Sequence, residues 1–213
     1  MKRIDMENWD RRELYSLFLQ NPNPFYAATF TVDVTPLLED CRRRRLSFYL
    51  SLVWLCTKVM NGIENFRYGA DEEGVYLHSR LDPSFTDLKP GSSLFHITTL
   101  EMLPDRQEFI RAAKAKSAAQ TGFINYEEEA DNLIYFSCVP NLPLTALTSV
   151  RIAADEKGAR DNITHVTWGS YTQREGRYEL GMTLEVNHRF IDGYHLALFF
   201  QRLNESMQSL RNG

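Results

Sequence analysis

Cysteine is scarce in this chain and is never clustered. Cys41, Cys56 and Cys138 are the three in 213 residues, an odd number at wide spacings. Without a Cys-x-x-Cys pair, neither a zinc site nor a disulfide framework is expected, and reduced thiols in a cytoplasmic protein are the simpler reading. Positive charge is not in excess either. The formal net charge is −4 and the sequence pI about 5.8, so the basic face that general nucleic-acid binding requires is lacking. The one basic run, Arg42–Arg45, follows Glu39 and Asp40 and reads as a solvated helix end. Long apolar runs are missing. The longest, Phe48–Val59, is interrupted by Ser51, Thr57 and Lys58 and is too short and polar to span a membrane. Met1–Asp5 carries no apolar core for a signal peptide. No Gly-x-Ser-x-Gly elbow occurs, which disfavours a covalent serine hydrolase. A soluble, cytoplasmic protein with neither a membrane nor a nucleic-acid partner is the expectation.

What is present points to one folded unit. Hydrophobic residues at 43% and charged residues at 24% allow a sizeable core, and no repeat, low-complexity tract or linker divides residues 1–213. Asn8 is placed to cap a helix beginning near Trp9, ended by Asn21-Pro22-Asn23-Pro24. Phe25–Val34 reads as a strand and Thr35-Pro36 opens a helix to about Arg44. Ser47 begins a helix over Phe48–Met60, apolar on most faces and therefore buried, which Asn61-Gly62 closes. Asn65–Gly69 and Val75–His78 are expected to form a hairpin. Short strands follow near Phe85–Leu88 and Leu94–Leu100, and an amphipathic helix starts at Pro104 and runs to about Ala119. Gly122–Asp131 is acidic and irregular. Leu133–Val139, Ser149–Ala154, Ile163–Ser170 and Arg177–Val186 read as further strands. A last helix follows Asp192-Gly193, with Leu196, Phe199, Phe200, Leu203, Met207 and Leu210 as its buried stripe. The pattern predicts an α+β fold around a large sheet.

The stretch Leu184–His195 runs from an apolar strand into a turn and then into that helix. It sets His188 four residues before Asp192-Gly193. Histidine titrates nearest neutrality, so it suits proton transfer at pH 7, and a positioned general base contributes about 10²–10⁴-fold in rate. Aspartate can anchor the turn and glycine lets the backbone bend sharply. An ordinary turn and helix cap would use the same Asp-Gly pair. His78, His96, His165 and His195 read as structural or surface histidines.

Asn-His-Arg-Phe-Ile-Asp-Gly-Tyr-His at 187–195 resembles His-His-x-x-x-Asp-Gly-Phe-His, the active-site motif of the chloramphenicol acetyltransferase family. Asn8-Trp9-Asp10-Arg11-Arg12-Glu13 resembles that family's Asn-Trp-x-Arg-Arg/Lys-Glu. Asp82-Pro83-Ser84-Phe85-Thr86 and Phe136-Ser137-Cys138-Val139-Pro140 are two further matches, and the order is kept from the first helix to the last. The resemblance implies a CoA-dependent acyltransferase fold, a large mixed β-sheet flanked by helices, in a single domain. It implies transfer of acetyl from acetyl-CoA directly to a hydroxyl of a small molecule, without a metal. By resemblance His188 falls on the general base, Ser137 on the donor to the oxyanion, and Asp192 with Arg11 on the salt bridge that supports the site. Thr167 matches a site threonine and Tyr171 a tyrosine near the CoA adenine, while Ser170 stands at a family lysine among the CoA-binding positions. Phe18, Pro24, Tyr26, Phe95 and Asn141 align with the acceptor pocket. Pro24 replaces a cysteine, Asn141 a common tryptophan and Asn187 the first histidine, so the pocket is rebuilt while the catalytic set is kept. A homotrimer is implied, with each site at a subunit interface. The alternatives are the same chemistry on another alcohol or an amine, a non-catalytic binding homologue, and a dihydrolipoamide acyltransferase core, whose Asp-His-Arg-x-x-Asp-Gly motif is close.

Overall fold

Alternation from Leu180 to Asn187 builds the central strand. Leu180, Met182, Leu184 and Val186 are at most 1% exposed and turn toward the helices, while Thr183, Glu185 and Asn187 turn to the opposite face. The computed structural model describes residues 1–89, 91–148 and 162–212. In chain order its strands are β1 (Lys2–Arg3), β2 (Phe25–Asp33), β3 (Tyr68–Asp71), β4 (Gly74–Leu77), β5 (Asp82–Leu88), β6 (Phe95–Thr99), β7 (Leu133–Cys138), β8 (Thr164–Trp168), β9 (Thr172–Arg174) and β10 (Arg177–Asn187). Its helices are α1 (Arg12–Leu19), α2 (Thr35–Arg44), α3 (Phe48–Asn61), α4 (Arg106–Ala119) and α5 (Gly193–Ser209).

Among the described residues the main sheet has seven strands, in the order β2-β10-β8-β7-β5-β6 with β9 beside β10. It is mixed: β5, β7 and β8 run parallel, and the other pairings are antiparallel. A small sheet, β1-β4-β3, stands apart. One face of the main sheet is apolar and lies under the helices. Phe85 and Trp168 pack on Tyr49 of α3, and with Phe136 and Val166 they share one core with Leu52, Val53 and Cys56 of that helix, all at most 1% exposed. Burying each such side chain contributes about 1.5–3 kcal/mol, so this layer holds the sheet flat against its helices.

The other face is a row of hydroxyls and ionisable groups. Ser84, Tyr135, His165 and Glu185 occupy neighbouring register positions across four strands, and Thr86, Ser137, Thr167, Thr183 and Thr29 follow one step on. The chain leaving β7 crosses this face. It does so at two glycines: a Cβ on Gly169 would stand 2.1 Å from the Leu142 carbonyl oxygen, and one on Gly181 would stand 2.2 Å from that of Leu144. Glycine is required there because backbone lies on backbone.

Several boundaries differ from the sequence reading. α1 begins at Arg12 and not near Trp9, and the Asn8 side chain donates to Asp5 instead of capping. The reason is tertiary: Trp9 packs edge-on against Tyr68, and Arg11 is drawn to Asp192. The expected first hairpin strand is a 3-10 turn, Glu64–Arg67, and pairing starts only at Tyr68. α4 starts at Arg106, capped by Asp105, which accepts from the Glu108 amide at 2.8 Å. Phe200 leaves the buried stripe of α5 and is 37% exposed at the edge of Phe30. The basic run is not wholly solvated, since Arg43 and Arg44 both donate to buried Asp40 at 2.8 Å. The strand expected at Ser149–Ala154 lies outside the described residues.

Candidate active site

His188 is the first residue beyond β10, where the alternation stops. Its backbone N–H donates to the Pro24 carbonyl at 2.8 Å, which ties the turn to the chain just ahead of β2. Its imidazole lies between two rings, stacked on Phe18 at 4.2 Å and 14° and tilted on Tyr26 at 4.5 Å. Nδ1 is enclosed without a hydrogen-bond partner. Burial pushes the Tyr26 phenol up to about 12, with nearby Asp192 adding to the rise, so it remains an O–H donor at neutral pH. Its partner is the Ile191 carbonyl at 3.5 Å.

Arg11 closes this turn from the far end of the sequence. Nη1 meets Asp192 Oδ2 at 2.7 Å, Nε donates to the Arg189 carbonyl at 2.9 Å, and Nη2 donates to the His188 carbonyl at 3.1 Å. The guanidinium is 7% exposed and each contact is fixed by its planar fork. Burial opposes ionisation of Asp192, but the hydrogen bond from Arg11 and the charges of His195 and Arg11 outweigh it and hold the carboxyl below its usual range. Phe18, Pro24, Tyr26, Arg11, Asp192 and His188 thus form one cluster.

The remaining sequence-selected residues gather elsewhere. Ser137 is the next-to-last residue of β7, level with Thr167 of β8. It lines a small cavity of about 170 Å³ with Ser84, Thr86, Tyr135, His165 and Thr167. It also borders a second one of about 500 Å³ with Tyr49, Asp87, Leu88, Phe95 and Cys138. Phe95 opens edge strand β6 and packs edge-on against Phe123. Asn141 follows β7 with φ +62°, a left-handed conformation asparagine tolerates. Ser170 donates its N–H to the Leu142 carbonyl at 2.8 Å, and half-exposed Tyr171 packs edge-on against Phe48 and Tyr178. A larger cavity of about 710 Å³, lined by Asp71, Glu72, Glu73, Glu129 and Asp131, contains neither His188 nor Ser137.

The register separates the two clusters. Ser137 is level with Thr167, and Thr167 with Thr183, which is five positions before His188 on a strand antiparallel to β7. At about 3.3 Å per residue and about 4.8 Å per strand, the two residues are roughly 16 Å apart along the sheet and about 10 Å apart across it. One chain therefore does not bring His188 to Ser137.

Two features escaped the sequence reading. His195 Nδ1 stands 2.8 Å from Asp192 Oδ1, so the aspartate is gripped on both oxygens. The three-residue spacing at a helix start was the available signal. His165 lines the Ser137 cavity and packs edge-on against Tyr135 at 5.2 Å. Alternation in Ile163–Ser170 already put it on the face of Thr167. No group of three or more His, Cys, Asp or Glu side chains among the described residues is arranged to hold a metal ion.

Comparison with known proteins adds an independent line. Residues 1–204 match the family model described as chloramphenicol acetyltransferase. A chloramphenicol acetyltransferase of Streptomyces acrimycini is 28% identical over 212 residues, covering 97% of this chain and 92% of that protein. One from Vibrio anguillarum is 22% identical over 210 residues, covering 98% and 95%. A solved chloramphenicol acetyltransferase superposes with a TM-score of 0.83 at 26% identity, covering 97% of this chain and all of the other. The cubic core of the pyruvate dehydrogenase multienzyme complex shares the fold, with a TM-score of 0.68 at 14% identity over 100% and 93% of the two chains.

Proposed function

This chain belongs to the chloramphenicol acetyltransferase family and is an acetyltransferase of that type; from that premise we propose that it moves acetyl from acetyl-CoA to a hydroxyl of a small molecule, chloramphenicol or a related alcohol, at a site shared between two copies of the chain. The observation that carries the reading is the division of the site residues. The base cluster around His188 and the hydroxyl cluster around Ser137 are each built, yet lie at different ends of one sheet. A ring of three copies, each presenting its His188 cluster to the Ser137 cluster of the next, completes every site. Such a head-to-tail contact closes on itself in a trimer.

In this mechanism His188 takes the acceptor's hydroxyl proton. With Nδ1 enclosed, Nε2 is the nitrogen left to face the acceptor. The hydroxyl oxygen attacks the thioester carbonyl carbon, and the Ser137 hydroxyl of the neighbouring copy donates to the developing oxyanion. The intermediate collapses, the carbon–sulfur bond breaks, and the CoA thiolate leaves with the proton held by His188. Phe18 and Tyr26 fix the imidazole plane, and Arg11 with Asp192 fixes the turn that carries it. The cavity bordered by Leu88, Phe95, Cys138 and Ser137 supports a thioester arm, being largely apolar with a few polar groups. Acceptor specificity then rests on Phe18, Pro24, Tyr26, Phe95 and Asn141, and CoA contacts on Thr167, Ser170 and Tyr171.

The test is a panel of hydroxylated and amine acceptors beside chloramphenicol, with release of the free CoA thiol as readout. Acetyl transfer to an alcohol that falls about 10²–10⁴-fold in His188→Ala is the expected result. A His188→Ala protein with near-normal turnover on the same alcohol would remove the base from the mechanism. Absence of acetyl-CoA binding by calorimetry would favour the non-catalytic homologue instead.

A further inference from the structure

His195 is the third residue of α5, in a capping-box arrangement with Asp192 at the helix start. Its Nδ1 has two neighbours: the Asp192 backbone nitrogen at 3.2 Å and Asp192 Oδ1 at 2.8 Å. One nitrogen cannot serve both. To accept the backbone N–H it must be bare, and to bond the carboxylate it must carry a proton. The carboxylate is the closer partner and is held ionised by Arg11. A bare lone pair 2.8 Å from it would be repelled.

From this geometry we propose that His195 is a positioning residue for His188: it donates its Nδ1 proton to Asp192 Oδ1, which leaves Oδ2 to Arg11 and so locks the carbonyl of His188. The chain of contacts is continuous. His195 holds Asp192 at 2.8 Å, Asp192 holds Arg11 at 2.7 Å, and Arg11 donates to the His188 carbonyl at 3.1 Å. A cap alone would need only the backbone contact. The ionisable groups facing His195 are Asp192 on its own turn, Asp10 and Arg11 from the approach to α1, and Glu64 and Tyr68 across a cavity of about 250 Å³. The ring of Tyr194 stands edge-on at 5.5 Å. Burial lowers the imidazole pKa against the pull of Asp192, which favours the neutral ring at neutral pH, and the 2.8 Å approach of the carboxylate keeps that ring's proton on Nδ1. The proposal deepens the role given to His188 under Proposed function and rests on that reading only for its effect on turnover.

The experiment uses the full chain with ¹⁵N-labelled histidine. Long-range ¹H–¹⁵N spectra at pH 8 should show His195 with Nδ1 protonated and Nε2 bare. The opposite tautomer would reduce His195 to a helix cap and overturn the proposal. Two variants separate cap from clamp. His195→Gln and His195→Glu can both accept the Asp192 N–H, but the glutamate sets a second carboxylate against Asp192 while the glutamine can donate. The Arg11 Nε–H resonance should persist in His195→Gln and exchange faster in His195→Glu, with His195→Gln melting close to wild type. With acetyl-CoA and chloramphenicol, His195→Glu should lose about 10–100-fold in kcat at unchanged KM, as expected when a reacting group is misplaced rather than a contact to substrate removed. Equal Arg11 signals in the two variants would overturn the proposal. Failure of the wild type to acetylate chloramphenicol would strike the acceptor reading and leave the two spectroscopic results to decide this one.

Discussion

Mixing two inactive variants gives the sharpest test of a shared site. On the proposed mechanism His188→Ala removes the base, a loss of about 10²–10⁴-fold. On the same mechanism Ser137→Ala removes the oxyanion donor, a loss of about 10²–10³-fold in kcat. If each site takes His188 from one copy and Ser137 from the next, a ring assembled from equal parts of both variants contains some sites that receive neither mutation. At each interface the His188 donor must be a Ser137→Ala chain and the Ser137 donor a His188→Ala chain, so about a quarter of all sites are intact in a randomly mixed ring. The two variants, co-expressed or unfolded and refolded together, should recover activity to about a quarter of wild type, while neither alone nor the two mixed without exchange should exceed its own background. The register supplies the magnitude's premise, since roughly 16 Å along the sheet separates the two residues in one chain. Recovery no greater than the sum of the parents, with exchange demonstrated by differently tagged chains, would refute the shared site.

Other outcomes follow from single contacts. Replacing Arg11 by methionine leaves Asp192 to His195 alone among charged or ionisable side chains and takes the Arg11 donors from the carbonyls of His188 and Arg189, and should cost about 1–3 kcal/mol in urea unfolding, the usual cost of removing a buried donor. Asp40, 2% exposed, accepts from Arg43, Arg44 and Arg106. Burial opposes its ionisation, but those hydrogen bonds prevail and pull its pKa down to about 2. Its folded pKa lies below the unfolded value of about 3.9, so its contribution is full above that pH and is lost as pH falls toward 2. Asp40→Asn should flatten that part of the acid-unfolding curve relative to wild type. Gly169→Ala forces a methyl into the Leu142 carbonyl and should cost about 1–3 kcal/mol, with loss of activity because the displaced segment carries Asn141 next to β7. Burial raises the pKa of the Cys41 and Cys56 thiols, so their alkylation at pH 8 should be slow until the protein is denatured; rapid labelling of either in the folded chain would contradict the burial.

The elements most legible in the sequence were those whose limits burial enforces, on one face for β10 and nearly all round for α3. α2, α3, β2, β7 and β10 fall within a residue or two of their expected limits, because each presents an apolar face to the same core. The misses have another cause. Trp9 and Arg11 lie in a helix-compatible stretch, but their partners, Tyr68 and Asp192, are remote in sequence and hold the chain in turns until Arg12. Phe200 fits a helical stripe yet sits at its edge, where the core ends before the stripe does.

What the sequence determined by itself was the chemistry of single residues: a histidine at a turn, an aspartate and glycine to shape it, a serine in an apolar strand, and a family motif that orders them. Which of these meet was decided only by the tertiary structure, because strand order and register are long-range properties that no local spacing encodes. Antiparallel pairing of β10 with β8, beside the parallel pair β7 and β8, sends His188 and Ser137 to different ends of one sheet. The same packing brings Arg11 to Asp192 across 181 residues and sets His195 against the carboxylate's second oxygen.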